Sequence, residues 1–305
     1  MNITLTQARQ AGYKKLFFTW TGLGDSVGFL NAICEYHKHF KEKVLIVTYY
    51  PFLFNGLPFV DILQDILLED EKSFVILQQY GIEPIFCSTL RFRFLAPSFK
   101  SNVFLWPDKH MVTAVCESMG ISGTVNIAPK IHLSDEEKQI GKISDKQICI
   151  ISHGLQKYKT WPLDKTCKLV EKNHKQYDFI QLGLPSDPPL PHVLDMRGKL
   201  TLSEVASYLY NSKLFVGPQG GLMHLARAVN CHSVIIASAG EPVNCSLYQG
   251  NIFVTPKTSC SLCSRNLRDP QHQPCFFNYS CIKNIQEEDV SSALNAFMQN
   301  GQYSL

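Results

Sequence analysis

The chain has 305 residues, enough for about two domains of ordinary size, and its 45% apolar and 18% charged content supports a full core and excludes intrinsic disorder. A net charge of +3 is too small to imply a nucleic-acid partner, and no run of about 18 apolar residues is present to span a membrane. The first residues, MNITLTQARQAGYKK, lack the apolar core of a signal peptide, so a cytoplasmic protein is expected.

Residues 16–20 (LFFTW) form a continuous apolar run, as in a parallel strand covered on both faces. TGLGDSVGF follows. Val27, Leu30, Ile33, Cys34, His37 and Phe40 recur at three- and four-residue steps, with Glu35, Lys38 and Lys41 between them, which predicts an amphipathic helix. Asp25 then stands where a strand meets a helix start, at or near the N-cap, and position alone favours a capping role. Residues 44–49 (VLIVTY) read as a second strand, followed by a loop and the run ILQDILL. Between 81 and 106, Arg91, Arg93 and Lys100 interleave with Phe92, Phe94, Phe99 and Trp106. This pattern reads better as an alternating strand or a helix with snorkelling cations than as a basic, aromatic acceptor surface.

Residues 126–147 are polar and broken by Pro and Gly, which places a domain boundary there, with a first domain over 1–130, a linker over 131–147 and a second domain over 148–305. A second alternating series starts at the strand-like CIIS (149–152). The loop HGLQKYKTWPLD carries Lys157, Lys159 and Trp161, and Pro162 suits the first turn of a helix running to about Tyr177. FIQLG (179–183) reads as a strand and LPSDPPLPHVLD as a Pro-rich surface loop. Thr201 and Glu204 form a capping box that opens a helix over 201–212. SVIIA (233–237) is a further strand, then AGEP, and a helix is expected over 287–299.

Between these lies KLFVGPQGGLMHLARAV (213–229): a short buried strand, a Gly-Pro-Gln-Gly-Gly turn and a helix opening near Leu222, with His224 in its first turn. Such a turn lets the backbone approach an anion and points free N–H groups at it, although a tightly packed strand–turn–helix explains the glycines equally well. Strands alternate with helices in both halves. This predicts two doubly wound α/β domains facing across a cleft, with ligands beyond the C-terminal ends of the strands, where Asp25 and the 217–224 turn both fall.

With these residues in place, the chain resembles glycosyltransferase family nine, the ADP-heptose-dependent heptosyltransferases of lipopolysaccharide core, including relatives that modify autotransporter proteins. The resemblance runs through KKLFFTWTGLGDSVGFLNAI, LPFVDILQDI, KYKTWPLDKTCKLV, DMRGKLTLSEVASYLYNSKLFVGPQGGLMHLARAV and VIIASAGEP. It implies a GT-B fold of two Rossmann-like domains, with acceptor in the first and nucleotide-sugar in the second. It also implies Asp25 as general base, Lys159 (with Lys157 near it) on the donor phosphates, and Gly220, Gly221, Leu222 and His224 in the donor turn. The chain departs from the family at Gln219-Gly220, where relatives carry Asp-Ser, and this opens the identity of the sugar. The expected reaction is inverting transfer from a nucleotide-diphospho-sugar, ADP-heptose foremost, to a saccharide or protein hydroxyl. A non-catalytic sugar-nucleotide binder is the alternative. No Asp-x-Asp pair occupies a plausible strand-end loop, so no catalytic metal is expected, and no nucleic-acid partner. Peripheral contact with the inner face of the membrane is left open through the acceptor.

The chain has eleven cysteines. Cys34, Cys87, Cys116, Cys149, Cys167, Cys231 and Cys245 are scattered singly, mostly in apolar surroundings, and read as small buried hydrophobes. Cys260, Cys263, Cys275 and Cys281 cluster as C-x₂-C-x₁₁-C-x₅-C. A tetrahedral thiolate metal site is favoured over disulfides, which cytosol disfavours, and over four unligated thiols. Zinc is the generic choice, and the autotransporter-modifying relatives make iron a second one. The expected role is structural.

Overall fold

The computed structural model describes residues 1–18, 22–65, 71–87, 109–257, 275 and 277–300. The chain divides into two compact units, Met1–Thr89 with Met111–His132, and Leu90–His110 with Leu133–Leu305.

The first unit contains β1 (Asn2–Ile3), α1 (Leu5–Gln10), β2 (Lys15–Phe18), α2 (Leu23–Phe40), β3 (Val44–Val47), β4 (Val60–Leu63), α3 (Glu71–Gln79), β5 (Glu83–Phe86) and α4 (Met111–Ser118). Among the described residues its five strands are all parallel, in the order β1-β4-β3-β2-β5. The strands read as apolar runs because helices cover them: Leu16, Phe17, Leu45 and Ile46 are fully buried. The sequence pattern did not single out β1 and α1. Helix α1 is nonetheless closed by a capping box in which Thr4 accepts from the Gln7 amide at 3.3 Å and the Gln7 side chain accepts from Thr4 N–H at 2.8 Å.

The second unit contains β6 (Gln147–Ile150), α5 (Leu163–Asn173), β7 (Asp178–Gln181), β8 (Val193–Asp195), α6 (Leu202–Tyr210), β9 (Leu214–Pro218), α7 (Gly221–Ala228), β10 (His232–Ile236), β11 (Asn251–Val254), α8 (Ser280–Lys283) and α9 (Glu287–Asn300). Six parallel strands run β11-β10-β9-β6-β7-β8, with Ile150 opposite Val216 and Val216 opposite Val234. The expected capping box is present at α6, where Glu204 reaches back to the Thr201 amide at 2.7 Å. Pro162 occupies the N-cap of α5, one position before the first-turn site expected of it. Strand β8 lies inside the stretch read as a Pro-rich loop. It is a three-residue edge strand, and the prolines, all before Val193, cost it no ladder hydrogen bond.

The C-terminal segment is part of this core. Ile282, Ile285, Val290, Leu294 and Phe297 pack in one cluster with Trp161, Leu169, Val170 and the strand residues Ile150 and Val216. The Trp161 indole N–H donates to the Ile285 carbonyl at 3.1 Å. Lys165 donates to the carbonyls of Lys283 and Ile285, each at 2.8 Å, at the C-terminal end of α8, and Lys172 pairs with Glu287. Among the described residues, no helix is long and apolar enough to cross a membrane.

Of the seven scattered cysteines, Cys87, Cys116, Cys149, Cys231 and Cys245 are buried and Cys34 and Cys167 half-buried. Burial pushes the Cys34 thiol up to about 11 and those of Cys116 and Cys149 up to about 12, so these three stay protonated and unreactive near neutrality.

Candidate functional site

In the second unit, β6 is flanked by β7 on one side and β9 on the other. The sheet grows outward in one direction through β7 and β8, then returns to continue from β9 through β10 and β11. The reversal lies between β6 and β9, and a crevice beyond the C-terminal ends of the strands at such a point is where open α/β sheets hold ligands. Because the strands are parallel, the segments leaving β6, β9 and β10 emerge side by side at that edge. They carry Lys159, Gln219-Gly220 and Glu241 respectively.

Lys157 and Lys159 belong to a single 3₁₀ turn with Tyr158 between them. Lys157 is exposed and Tyr158 buried, whereas Lys159 is largely withdrawn, its side chain 14% exposed. Backbone contacts fix the turn: Thr160 Oγ1 donates to the carbonyls of Gly154 and Gln156, both at 3.1 Å. A Cβ on Gly154 would stand 2.8 Å from the Lys159 carbonyl oxygen, so only glycine allows this approach. The Lys159 ammonium forms an ion pair with Glu241, whose side chain is 8% exposed. Glu241 is set by its own tight turn, in which Gly240 N–H donates to Ser238 Oγ at 3.1 Å. A Cβ on Gly240 would come within 2.6 Å of the Tyr158 ring, so the two loops also meet through backbone and ring.

The segment after β9 enters α7 at Gly221, with Gly220 as an extended N-cap that makes no side-chain cap bond. A Cβ on Gly220 would meet nothing within 4 Å, so this glycine answers to no steric demand within the unit. Gly221 and Leu222 are half-buried in the first turn. Gln219 is 2% exposed, and its Nε2 donates to Ser246 Oγ at 3.3 Å, turning the amide inward.

His224 is buried and shares a 2.8 Å hydrogen bond through Nδ1 with the Tyr248 hydroxyl, which leaves Nε2 as its second polar atom. Tyr248 is held between two imidazoles, its ring centroid 5.5 Å from that of His224 and 4.9 Å from that of His110. Burial, with His110 and Lys159 as nearby cations when charged, pushes His224 down to about 3, and burial alone pushes His110 down to about 4. Both imidazoles are therefore neutral at physiological pH, and His224 acts as a hydrogen-bonding group rather than a cation.

The first unit repeats the topology. Strand β2 lies between β3 and β5, so its reversal falls between β2 and β5, where the segment leaving β2 leads into α2. Asp25 is not the cap of that helix. The N-cap is Gly22, which makes no side-chain bond, and Asp25 is the third helical residue. The helix opens earlier than the apolar periodicity indicated because Leu23 and Gly24 continue it without a polar marker. The carboxylate folds back, with Oδ2 2.7 Å from where a Cβ on Gly22 would stand, and an acid in a first turn is favoured by the helix dipole. Asp25 is half-buried beside Tyr50, whose hydroxyl is pushed up by burial and then by the Asp25 charge.

Of the cysteine cluster, Cys260 and Cys263 lie outside the described residues, as do Arg91, Arg93, Lys100 and the aromatics between them. Cys281 is buried on α8 and Cys275 is half-buried. Among the described residues, no group of three or more His, Cys, Asp or Glu could hold a metal ion. Sequence reasoning missed Glu241, Tyr248, Ser246 and His110. Glu241 alone carried a signal: a carboxylate between Gly and Pro immediately after a strand.

No curated protein sequence matches the chain. Among solved structures, a glycosyl transferase family 9 protein from Veillonella parvula is 15% identical, with 94% of this chain and 98% of that one covered and a TM-score of 0.70. The ADP-heptose lps heptosyltransferase II of E. coli is 14% identical, with 95% and 100% covered and a TM-score of 0.70. The iron-containing dodecameric glycosyltransferase TibC of enterotoxigenic E. coli is 15% identical, with 95% and 77% covered and a TM-score of 0.69. These likenesses give the fold, two parallel-sheet domains of the GT-B kind. The model of glycosyltransferase family 9 (heptosyltransferase) matches residues 109–269, more than half of the chain and the part that holds Lys159, Gln219, His224 and Glu241, so the chain belongs to glycosyltransferase family 9.

Proposed function

We propose that this glycosyltransferase moves a sugar, heptose from ADP-heptose foremost, with inversion at its anomeric carbon, to a hydroxyl of a lipopolysaccharide-core saccharide or a protein. The observation that carries the reading is the convergence, at the reversal point of the second sheet, of the Lys159 ammonium, the open N-terminus of α7 and the buried neutral His224. Each suits a diphosphate: a point charge, a set of backbone N–H donors and an imidazole N–H. The Tyr248 hydroxyl can donate to Nδ1, and in that tautomer His224 presents its proton on Nε2 to a phosphate oxygen. Lys157 adds an exposed second cation.

In the reaction, the Asp25 carboxylate removes the acceptor hydroxyl proton as that oxygen bonds to the anomeric carbon. The bond from that carbon to the diphosphate breaks, and its electron pair leaves with the nucleoside diphosphate. Lys159 and the α7 amides hold the growing negative charge. Gly220 leaves room beside this turn and Gln219 is neutral, which together favour a donor whose sugar is not bound through a carboxylate at position 219. Cys260, Cys263, Cys275 and Cys281 are proposed to hold a structural metal that ties the segment after β11 to α8, with no part in the chemistry. TibC, which is iron-containing, supports a metal in this fold.

The test is a thermal-shift comparison of ADP-, UDP-, GDP- and CDP-sugars on the wild type and Lys159→Ala. ADP-heptose is expected to raise the melting temperature of the wild type and to lose most of that effect in the variant. A strong shift with a UDP- or GDP-sugar and none with ADP-heptose overturns the donor assignment.

A further inference from the structure

Lys159 and Glu241 leave two different strand ends, β6 and β10, that are separated in the sheet by β9. Both side chains are withdrawn from solvent, at 14% and 8% exposure, and their backbones are clamped by Gly154 and by the Gly240–Tyr158 contact. Stability does not account for such a pair, because a buried ion pair is often matched or bettered by apolar residues of the same size. Its position does. The segment carrying Lys159 leaves β6 beside β9, whose own exit opens α7, so an anion held at that edge meets Lys159 with a carboxylate already paired to it.

We infer that Glu241 is a positioning residue that serves as the resident counter-ion of Lys159: it fixes the ammonium at the donor diphosphate and limits how tightly that diphosphate is held. This rests on the reading of Lys159 as a phosphate-binding residue and goes beyond it. An unpaired buried lysine beside a helix N-terminus would hold a diphosphate strongly, in the product as well as in the donor. A carboxylate a few ångströms away opposes the dianion and shares the ammonium, so the nucleoside diphosphate can leave after transfer. Glu241 thus weakens ground-state and product binding equally, while the ammonium remains oriented for the charge that develops on bond cleavage.

Calorimetric titration with ADP and with inorganic pyrophosphate tests this on the full chain, for the wild type, Glu241→Gln, Glu241→Asp and Lys159→Ala. Glu241→Gln keeps the shape and removes the charge. It is expected to tighten both probes about tenfold, the order of one unit charge acting across a few ångströms at a partly buried site. In steady-state transfer, donor KM and kcat should fall together because product leaves more slowly. Glu241→Asp restores the charge and should return both affinities to within about threefold of the wild type. A residue that only supported the fold would loosen binding instead. Should Glu241→Gln fail to fold, Glu241→Ser also removes the charge and carries the same expectation. Unchanged or weaker binding by the folded neutral variant, with Lys159→Ala clearly weakened, overturns the counter-ion role and leaves the donor site standing. Unchanged binding by Lys159→Ala overturns the donor-site reading itself.

Discussion

The two buried imidazoles should make the second unit acid-labile, and the size of the effect follows from their surroundings. His224 is held down to about 3 by burial and then by His110 and Lys159, and His110 to about 4 by burial. Unfolded, each titrates near 6.5, so between that value and its folded value the unfolded chain binds more protons. Stability must therefore be full above about pH 7 and fall as pH drops through 6.5. Between pH 7 and pH 5 the loss is about 2 kcal/mol per histidine, and about 4 kcal/mol for the pair. Carboxylates with depressed values, such as Asp195 beside Arg197, contribute mainly at lower pH, nearer the ordinary range of the unfolded group. Urea unfolding at pH 7 and pH 5, followed by tryptophan fluorescence, measures the difference. His224→Gln keeps a polar, uncharged side chain and should reduce the pH-dependent loss by about half, whatever its cost at pH 7. An unfolding midpoint that stays constant from pH 7 to pH 5, or a His224→Gln variant with the full wild-type pH dependence, would refute the argument that these rings are buried and neutral.

Other consequences concern packing. Trp161→Ala should cost about 3–5 kcal/mol, because a large buried ring is lost together with the hydrogen bond that holds Ile285. Trp161→Phe should cost less, and limited proteolysis should then release the segment from α8 onward first. Gly240→Ala and Gly154→Ala should each cost about 1–3 kcal/mol through overpacking against Tyr158 and the Lys159 backbone. Gly220→Ser meets open space and adds an N-cap hydroxyl to α7, so chemical denaturation should find it neutral or stabilised by a few tenths of a kcal/mol. The proposed metal site predicts about one equivalent of zinc or iron by elemental analysis of purified protein, lost in Cys275→Ser with Cys281→Ser.

Much of this architecture is legible in the residues. The apolar runs at 16–20, 44–49, 149–152, 214–216 and 233–237 mark buried parallel strands because both faces of each sheet are covered, and Thr201-x-x-Glu204 marks a helix start by its own local chemistry. What stays hidden depends on partners distant in sequence. Strand β8 is three residues long, follows a Pro-rich run and exists only because β7 is beside it. Asp25 reads as a cap until the helix is seen to begin two residues before it, at Leu23. Tyr248 and His110 carry no local pattern at all, and Glu241 only its place between Gly and Pro after a strand. Glu241 acquires meaning only when the sheet order brings the segments leaving β6, β9 and β10 to one edge. Lys159 was legible through resemblance and Glu241 was not, although the two form a single ion pair.

In the proposed reaction Asp25 takes the acceptor proton and the Lys159–α7 site holds the donor. The most direct measurement is the single-turnover rate of sugar transfer from ADP-heptose by Asp25→Asn, with ADP-heptose affinity determined on the same preparation. Loss of a general base predicts a rate lower by about 10²–10⁴-fold with donor affinity within about threefold of the wild type. Transfer at the wild-type rate, or loss of donor binding in step with the rate, would contradict it.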